Sequence, residues 1–397
     1  MLKKRIIIAY PAMMIGGSTT SLLSILNRLD YDQYDVDLLL SSHSGELLDQ
    51  IPSQVKLLPP ARKYTSRRQD YLHRLISPKY LWHWWKSRRI AKQTGHHIQG
   101  AQYREWKDID FFCKIPGEYD VAIAFLEGDR CKFVARHIKA RRKLAWIHVN
   151  YLDAHFNPEY DRDTMCCFDQ IATVSESCKE AFCKAFPELT ERTLVVENIL
   201  ASEYVRGRAG NIPALILDNQ CINLVTVCRI DFSSKGLDRG VEAIARLRRE
   251  GRGEKLRWYI VGDGGDMTKL RQMITDHHLE DVIVPCGGHP NPYPYLLGQT
   301  LFFFPSRWEG KPMAVTEAFM MGLPVLATEY TSAREQIRDG IDGKVIENST
   351  EGIYGGLLYI IEHENAIQEW KENVLATDYS NDDEMKKVIG MIEEEPM

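Results

Sequence analysis

The sequence predicts an α/β protein made of two doubly wound, parallel-sheet halves. Short apolar runs alternate with helical patterns along the chain, which is typical of parallel strands joined by crossover helices. The chain has 397 residues. A single hydrophobic core seldom serves a chain of this length, so we expect two domains with a cleft between them.

The first half begins with a strand, a loop and a helix. Residues 5–10 (RIIIAY) are predicted to form a buried strand, and residues 21–29 have helical spacing. Gly16 and Gly17 lie in the loop between them, and Ser18 is the predicted cap of the helix. Five further strands are predicted at 36–40, 121–126, 143–149, 170–174 and 194–198. We therefore interpret residues 1–200 as one Rossmann-like domain.

The alternation of strands and helices stops at residues 201–221, which we interpret as the linker, and then restarts. Strands are predicted at 222–227, 258–262, 282–285, 300–306 and 324–328. Helices are predicted at 240–250, 267–278 and 313–321. Residues 222–375 therefore form the predicted second domain, and residues 376–397 contain a predicted final helix.

The composition favours a folded cytoplasmic protein. Hydrophobic residues make up 44% of the chain and charged residues 26%. The nine cysteines include no CxxC pair and no Cys/His metal-ligand spacing, which favours reduced thiols. No run of eighteen apolar residues occurs, so no membrane-spanning helix is predicted. The short run 6–8 is followed by polar residues, unlike a signal peptide.

Charge is concentrated in one stretch of the first half. The formal net charge is −5, yet residues 62–108 hold twelve Lys or Arg residues against three acids. Aromatic residues alternate with these cations at 80–89 (YLWHWWKSRR) and 103–106 (YREW). Such composition suits the anionic surface of a membrane. We call this segment, about 62–107, the basic aromatic insert; aromatic packing within a helical insert is the alternative explanation of its composition. No nucleic-acid-binding motif accompanies the insert, so no nucleic acid is expected as a partner.

The densest chemical motif is residues 305–328, PSRWEGKPMAVTEAFMMGLPVLAT. Glu309 ends a loop after a buried strand, Pro312 suits the first turn of a helix, and Glu317 falls on that helix. Backbone amides at this helix start could bind a phosphate or sugar hydroxyls. They belong to Gly310, Lys311, Met313 and Ala314. By spacing alone, two surface carboxylates on a helix are the alternative.

Two further motifs follow predicted strands. Arg229 and Lys235, in CRIDFSSKGLDRG, could neutralise a diphosphate and stabilise the negative charge on a leaving group. Gly262 and Gly264, in VGDGGDMTKL, either let the backbone approach a nucleotide or form a tight turn. The dinucleotide fingerprint GxGxxG is not satisfied.

The motif at 305–328 closely resembles the ExxxxxxxE signature of glycosyltransferase family 4. The matching anchors are Ser306, Glu309, Gly310, Pro312, Glu317, Ala318, Gly322, Pro324 and Val325. The Arg229 and Lys235 segment resembles the family pattern G-R-x(3 or 4)-K-G, with Cys228 in place of the usual glycine and one additional residue. The resemblance implies the GT-B fold, in which two Rossmann-like domains face each other across a cleft, and a last helix that crosses back to the first domain.

The resemblance also implies residue roles in the second half. Glu309 is expected to contact the donor sugar and Glu317 the ribose, while Arg229 and Lys235 hold the diphosphate. Gly262 and Gly264 are expected to form a wall of the donor site, and Gly287 and Gly288 to lie near the base.

In the first half, Gly16 and Gly17 are expected to face the cleft. His148 resembles the family's cleft histidine that reaches the donor sugar; a satisfied core histidine is the alternative. Glu127, in FLEG, resembles a motif of surface-polysaccharide members and is expected to position the acceptor hydroxyl; capping of the following helix would explain the same residue.

The expected function is retaining transfer of a hexose or N-acetylhexosamine from a nucleotide-diphosphate sugar, expected to be a UDP-sugar. The acceptor would be a glycan or a lipid-linked saccharide in bacterial capsule, exopolysaccharide or lipopolysaccharide synthesis. No metal or other cofactor is expected, and the absence of a nucleophile at the expected place favours front-face substitution. A catalytically silent sugar-nucleotide-binding protein and a Rossmann oxidoreductase are the alternatives.

Overall fold

The computed structural model describes residues 3–61, 77–108, 113–200 and 202–394. The chain divides into two compact units. The first unit is Met1–Ile199 with Asp383–Met397, and the second is Leu200–Asp382. Each is an α/β unit built on a parallel sheet, which confirms the predicted fold class.

The sheet of the first unit has seven strands in the order β3-β2-β1-β4-β5-β6-β7. Its strands are β1 Lys4–Tyr10, β2 Tyr34–Leu40, β3 Lys56–Leu58, β4 Tyr119–Ala124, β5 Ala140–Ile147, β6 Gln170–Thr173 and β7 Thr193–Val195. The strand order reverses between β1 and β4, as in doubly wound sheets. The six predicted strands are present; β3 is a three-residue edge strand, too short to carry an apolar pattern.

The helices of the first unit begin and end as follows: α1 Gly17–Leu26, α2 Pro78–Thr94, α3 His97–Asp108, α4 Asp129–His137, α5 Arg162–Met165, α6 Glu176–Ala185 and, from the end of the chain, α15 Glu384–Glu393. Helix α15 joins this unit because Val388, Met391 and Ile392 are buried in the same core as strand β1. Ser18 does not cap α1. The helix starts at Gly17, and the Ser18 hydroxyl lies 2.7 Å from the Tyr10 hydroxyl instead.

The sheet of the second unit has six strands in the order β10-β9-β8-β11-β12-β13. Its strands are β8 Ile222–Val227, β9 Leu256–Val261, β10 Ile283–Gly287, β11 Leu301–Phe304, β12 Val325–Thr328 and β13 Gly343–Ile346. The strand order reverses between β8 and β11, as it does between β1 and β4 in the first sheet. The edge strand β13 was not predicted.

The helices of the second unit are α7 Ser202–Ala209, α8 Phe232–Lys235, α9 Leu237–Arg249, α10 Met267–Asp276, α11 Met313–Met320, α12 Ala333–Gln336, α13 Thr350–Glu362 and α14 Glu364–Leu375. Helix α7 corrects the interpretation of residues 201–221 as a plain linker. It is held because Val205 and Ala209 are buried in the core of this unit.

The basic aromatic insert at 62–107 is described only in part, because residues 62–76 lie outside the described ranges. Its remainder forms α2 and α3. Pro78 at the start of α2 and Gly95 at its end, with a φ of 76°, fix the bounds of that helix. Within the described ranges, no helix combines the length and the apolar character needed to cross a bilayer.

Candidate active site

The loops after β8 and β11 bring Lys235 and Glu309 together. The Lys235 Nζ lies 2.6 Å from Glu309 Oε1, and the two side chains are only 18% and 11% exposed. The strands are neighbours and parallel, so the loops at their carboxyl ends meet at one edge of the sheet. Two residues that the sequence analysis took from separate motifs therefore form one ion pair.

A short helix positions Lys235. The Asp231 carboxylate accepts a hydrogen bond from the Ser233 amide at 3.0 Å and starts α8. Gly236 ends it with a φ of 60°, and a Cβ at this position would lie 2.2 Å from the Pro305 carbonyl oxygen. The glycine after Lys235 thus allows the loop of β8 to pack against the loop of β11.

Glu309 is oriented by its own loop. The Ser306 hydroxyl lies within hydrogen-bond distance of Glu309 Oε1 and, at 2.8 Å, of the Ser234 carbonyl oxygen. Arg307 donates two hydrogen bonds of 2.7 Å to Asp238 and so anchors the loop to α9. Among the described residues, none donates a hydrogen bond to the second carboxylate oxygen, Oε2. One oxygen of Glu309 is therefore left for a ligand.

Arg229 does not join this pair. Its side chain is 69% exposed, and its Nη2 lies 3.5 Å from Asp231 Oδ2. Surface ion pairs of this kind contribute little to stability. The structure thus separates the two predicted cations: Lys235 is held in the pair, and Arg229 stands at the surface, where its role in holding a diphosphate remains a prediction.

Glu317 lies on α11 and is held by a neutral donor. Its side chain is buried, and its Oε1 accepts a hydrogen bond of 3.0 Å from the Tyr293 hydroxyl. Burial raises the pKa of Glu317 to about 7. Tyr293 was not predicted as a site residue, because a tyrosine in a proline-rich loop belongs to no motif.

The backbone amides expected near a ligand gather at the start of α11. The helix begins at Met313. Pro312 was predicted in the first turn of this helix, but it is the N-cap, the residue just before that turn, and has a φ of −69°. The Met313 side chain is buried in the core, so only its amide can face a ligand. The first amides of a helix have no intrahelical acceptor. The donor roles of Gly310, Lys311, Met313 and Ala314 remain predictions.

The glycine-rich turn after β9 packs against the loop after β8. A Cβ at Gly262 would lie 1.8 Å from the Cys228 carbonyl oxygen, and one at Gly264 would lie 2.3 Å from that of Ile230. This contact explains both glycines without a nucleotide. Gly288 is exposed beside Asp263, and its place near a base remains a prediction, as does that of Gly287.

In the first unit, the structure brings Glu127 and His148 together at the ends of adjacent strands. Glu127 Oε2 accepts a hydrogen bond of 2.9 Å from the His148 backbone amide, which accounts for this carboxylate without a role in capping α4. The His148 ring packs edge-on against Phe125, with 5.1 Å between ring centroids. Burial raises the pKa of Glu127 and lowers that of His148 to about 4. Both side chains are thus driven toward their neutral forms.

Gly16 and Gly17 lie at the start of α1, where Gly16 is the exposed N-cap. A Cβ at Gly16 would meet no atom of the described chain within 4 Å. No packing contact of the described residues therefore requires a glycine there. The expectation that both glycines face a ligand remains a prediction.

The architecture of two Rossmann-like units is that of the GT-B glycosyltransferases. Over 98% of both chains, the structure is similar to the crystal structure of Anabaena HepE in complex with UDP and glucose, with a TM-score of 0.69 at 16% sequence identity. At that identity the likeness concerns the fold.

Within this fold, residues 219–376 match the family model "Glycosyl transferases group 1", so the second unit carries a domain of that group. Over 208 residues the chain is 24% identical to an uncharacterized glycosyltransferase of Methanocaldococcus jannaschii, covering 49% of this chain and 50% of that protein.

A second relative is the Campylobacter jejuni N-acetylgalactosamine-N,N'-diacetylbacillosaminyl-diphospho-undecaprenol 4-alpha-N-acetylgalactosaminyltransferase. The two sequences are 28% identical over 133 residues, which cover 33% of this chain and 35% of that protein. The matched regions thus span half or less of the length of these curated relatives.

Proposed function

We propose that the protein is a retaining, metal-independent glycosyltransferase of family 4 that uses a UDP-sugar donor. In this proposal it transfers a hexose or N-acetylhexosamine to a glycan or lipid-linked acceptor during bacterial capsule, exopolysaccharide or lipopolysaccharide synthesis, and it works in the cytoplasm. The observation that carries the proposal is the buried pair of Lys235 Nζ and Glu309 Oε1, 2.6 Å apart. It stands at the reversal of strand order, where α/β sheets bind their ligands.

The chemistry of the pair suits a sugar diphosphate. An ammonium group at this edge stabilises the negative charge that grows on a departing diphosphate. The free Oε2 of Glu309 can accept hydrogen bonds from sugar hydroxyls. Two similar proteins support the same class of donor and acceptor: HepE was solved with UDP and glucose, and the Campylobacter relative is named for a diphospho-undecaprenol-linked substrate.

The test is a thermal-shift panel on the full-length protein, followed by a turnover assay. UDP-sugars should raise the melting temperature by mass action, and NAD should not. The bound donor should be hydrolysed slowly without acceptor, and with a sugar acceptor the product should keep the anomeric configuration of the donor. Binding without any turnover would favour a silent sugar-nucleotide-binding protein, and stabilisation by NAD alone would contradict the proposal.

We further propose that helix α2 contacts an anionic membrane surface. Its solvent face carries Trp82 and Trp85, both about half exposed, beside the exposed cations Arg88, Arg89 and Lys92. Among the described residues, none of these three cations forms an ion pair. Tryptophan and basic side chains on one helix face suit the boundary between anionic headgroups and acyl chains.

Sedimentation with vesicles tests this contact. The protein should bind vesicles that contain phosphatidylglycerol, bind less as salt rises, and leave pure phosphatidylcholine vesicles unbound. Trp82→Ala with Trp85→Ala should weaken binding about 10-fold, as burial of two aromatic rings is lost. Ile216→Ala, which removes a fully exposed apolar side chain from the second unit, is the control. Equal binding by both variants would contradict the proposal.

A further inference from the structure

Tyr293, which donates a hydrogen bond to Glu317, lies in a turn that is held on both sides. The turn Tyr293–Tyr295 is a single 3-10 helix that follows β10, and the Tyr293 ring is buried. The Ala214 amide donates to the Pro294 carbonyl oxygen at 3.0 Å, and the Asn291 side chain donates to the Arg208 carbonyl oxygen at 2.7 Å. Contacts on both sides thus hold the turn that carries the hydroxyl.

No cation compensates the Glu317 carboxylate. Within the described part of the chain, no Lys or Arg lies within salt-bridge distance of it, in contrast to Glu309. On α7, Tyr204 and Arg208 interact electrostatically with Tyr293, and Arg206 donates to the Met320 carbonyl oxygen at the end of α11. The core side chains around α11 from α14, β11 and β12 are apolar, namely Val374, Phe304 and Ala327; Tyr379 stacks on Phe319.

We propose that Tyr293 is a positioning residue that keeps Glu317 ionised and aimed at the vicinal hydroxyls of a bound ribose. The inference rests on the proposed function, in which Glu317 binds the ribose of the donor. With Oε1 engaged by Tyr293, Oε2 accepts no hydrogen bond from the described residues and is the oxygen left for a hydroxyl. Only the ionised carboxylate offers both oxygens as acceptors.

The expected consequence is a pH-dependent affinity. Because burial raises the pKa of Glu317 to about 7, affinity for a ribose ligand should rise with pH across that range. A hydroxyl that donates a hydrogen bond to a carboxylate favours the ionised form of that carboxylate. Removal of the Tyr293 hydroxyl should therefore move the rise in affinity to higher pH.

The experiment measures the affinity of full-length protein for UDP-glucose from pH 6 to 8.5, a range that lies above the titration of the diphosphate and below that of the uracil. In Tyr293→Phe, affinity at pH 7 should fall about 5-fold, because raising a pKa of about 7 by one unit lowers the ionised fraction by that factor, and it should largely recover by pH 8.5. Turnover with saturating donor should stay within about twofold, because only binding is changed. Affinity for 2′-deoxy-UDP-glucose, which lacks the vicinal pair, should be the same in both proteins.

Tyr295→Phe is the matched control. It removes a hydroxyl from the same turn, one that lies 2.7 Å from His289 Nε2, and should leave the pH profile unchanged. A loss of affinity in Tyr293→Phe that is uniform across pH would overturn the proposal, because it would indicate a merely structural role.

A measurement without ligand separates this inference from the proposed function. Carbon-13 NMR of glutamate-labelled protein follows the Glu317 carboxyl, assigned by its loss in Glu317→Gln. Its titration should move to higher pH in Tyr293→Phe, and an unchanged titration would overturn the inference. If the wild type binds no nucleotide sugar, the proposed function fails, and the NMR titration still decides whether Tyr293 holds the carboxylate ionised.

Discussion

In the second unit, the largely buried side chains of Lys235 and Glu309 form an ion pair, whereas in the first unit Glu127 and His148 are half-buried neighbours that form none. The difference lies in what offsets burial. Lys235 and Glu309 offset each other's charge, while burial raises the pKa of Glu127 and lowers that of His148. The second unit therefore presents an ion pair at its candidate site, and the first presents a carboxyl and an imidazole that burial drives toward their neutral forms.

The largest expected effect comes from breaking the ion pair. Lys235→Ala and Glu309→Ala should each lower turnover at least about 100-fold, or about 2.7 kcal/mol in the barrier, because each removes a group proposed to act in the transition state. The measurement is donor turnover, with circular dichroism to show an intact fold. Lys269→Ala, which removes an exposed cation paired with Asp266 in the same unit, should stay near the wild-type rate. Near-normal rates in Lys235→Ala or Glu309→Ala would contradict the proposed roles of these two residues in turnover.

A smaller effect is expected in the first unit. Glu127→Gln and His148→Phe should lower turnover about 10-fold each, less than the roughly 100-fold or more expected of a general acid or base, because both residues are proposed to position hydroxyls. With a pKa of about 4, His148 stays neutral above that value, so it should add no limb to the rate profile between pH 5 and 8. A limb near pH 6.5 that disappears in His148→Phe would contradict this. The control is Glu118→Gln, an exposed carboxylate of the same unit.

An effect on stability rather than on turnover is expected at Glu317, which has no ion-pair partner among the described residues. Its folded pKa of about 7 exceeds the unfolded value, so its contribution to the free energy of unfolding is lost as pH rises from about 4.5 through 7. Glu317→Gln should therefore stabilise the free protein at pH 8 by up to about 3 kcal/mol, the equivalent of a rise in pKa from about 4.5 to about 7, and change little at pH 4.

The measurement is the melting temperature at the two pH values, and Glu372→Gln on the surface of α14 is the control. A variant that is less stable at pH 8 would show that the carboxylate is compensated by groups other than Tyr293.

Much of the fold could be predicted because buried parallel strands leave continuous apolar runs. The strands at 5–10 and 222–227 were found within a residue of their bounds, whereas β3 and β13, with three and four residues at sheet edges, left no such run. The helix at 202–209 was not predicted, because its polar composition resembles that of a linker. Its two buried residues, Val205 and Ala209, suffice to hold it against the core.

For the site, the motifs identified Lys235 and Glu309, since a lysine–glycine turn and a loop carboxylate occupy fixed places after strands. The motifs gave Arg229 the same weight as Lys235, although one is exposed and the other buried, because local sequence carries no information on burial in a loop. Ser18 was predicted as a cap from its residue type, and its hydroxyl instead meets Tyr10, a partner from the preceding strand.

The amino-acid sequence by itself determined the two parallel-sheet units and the motifs that mark their strand ends, because strand burial and helix spacing are written in local patterns. The tertiary structure decided which of those residues meet: Lys235 with Glu309, Glu127 with the His148 amide, and Tyr293 with Glu317. The physical reason is that burial and partner choice, which set the charge of these groups, depend on residues that are distant in the chain and adjacent in the sheet.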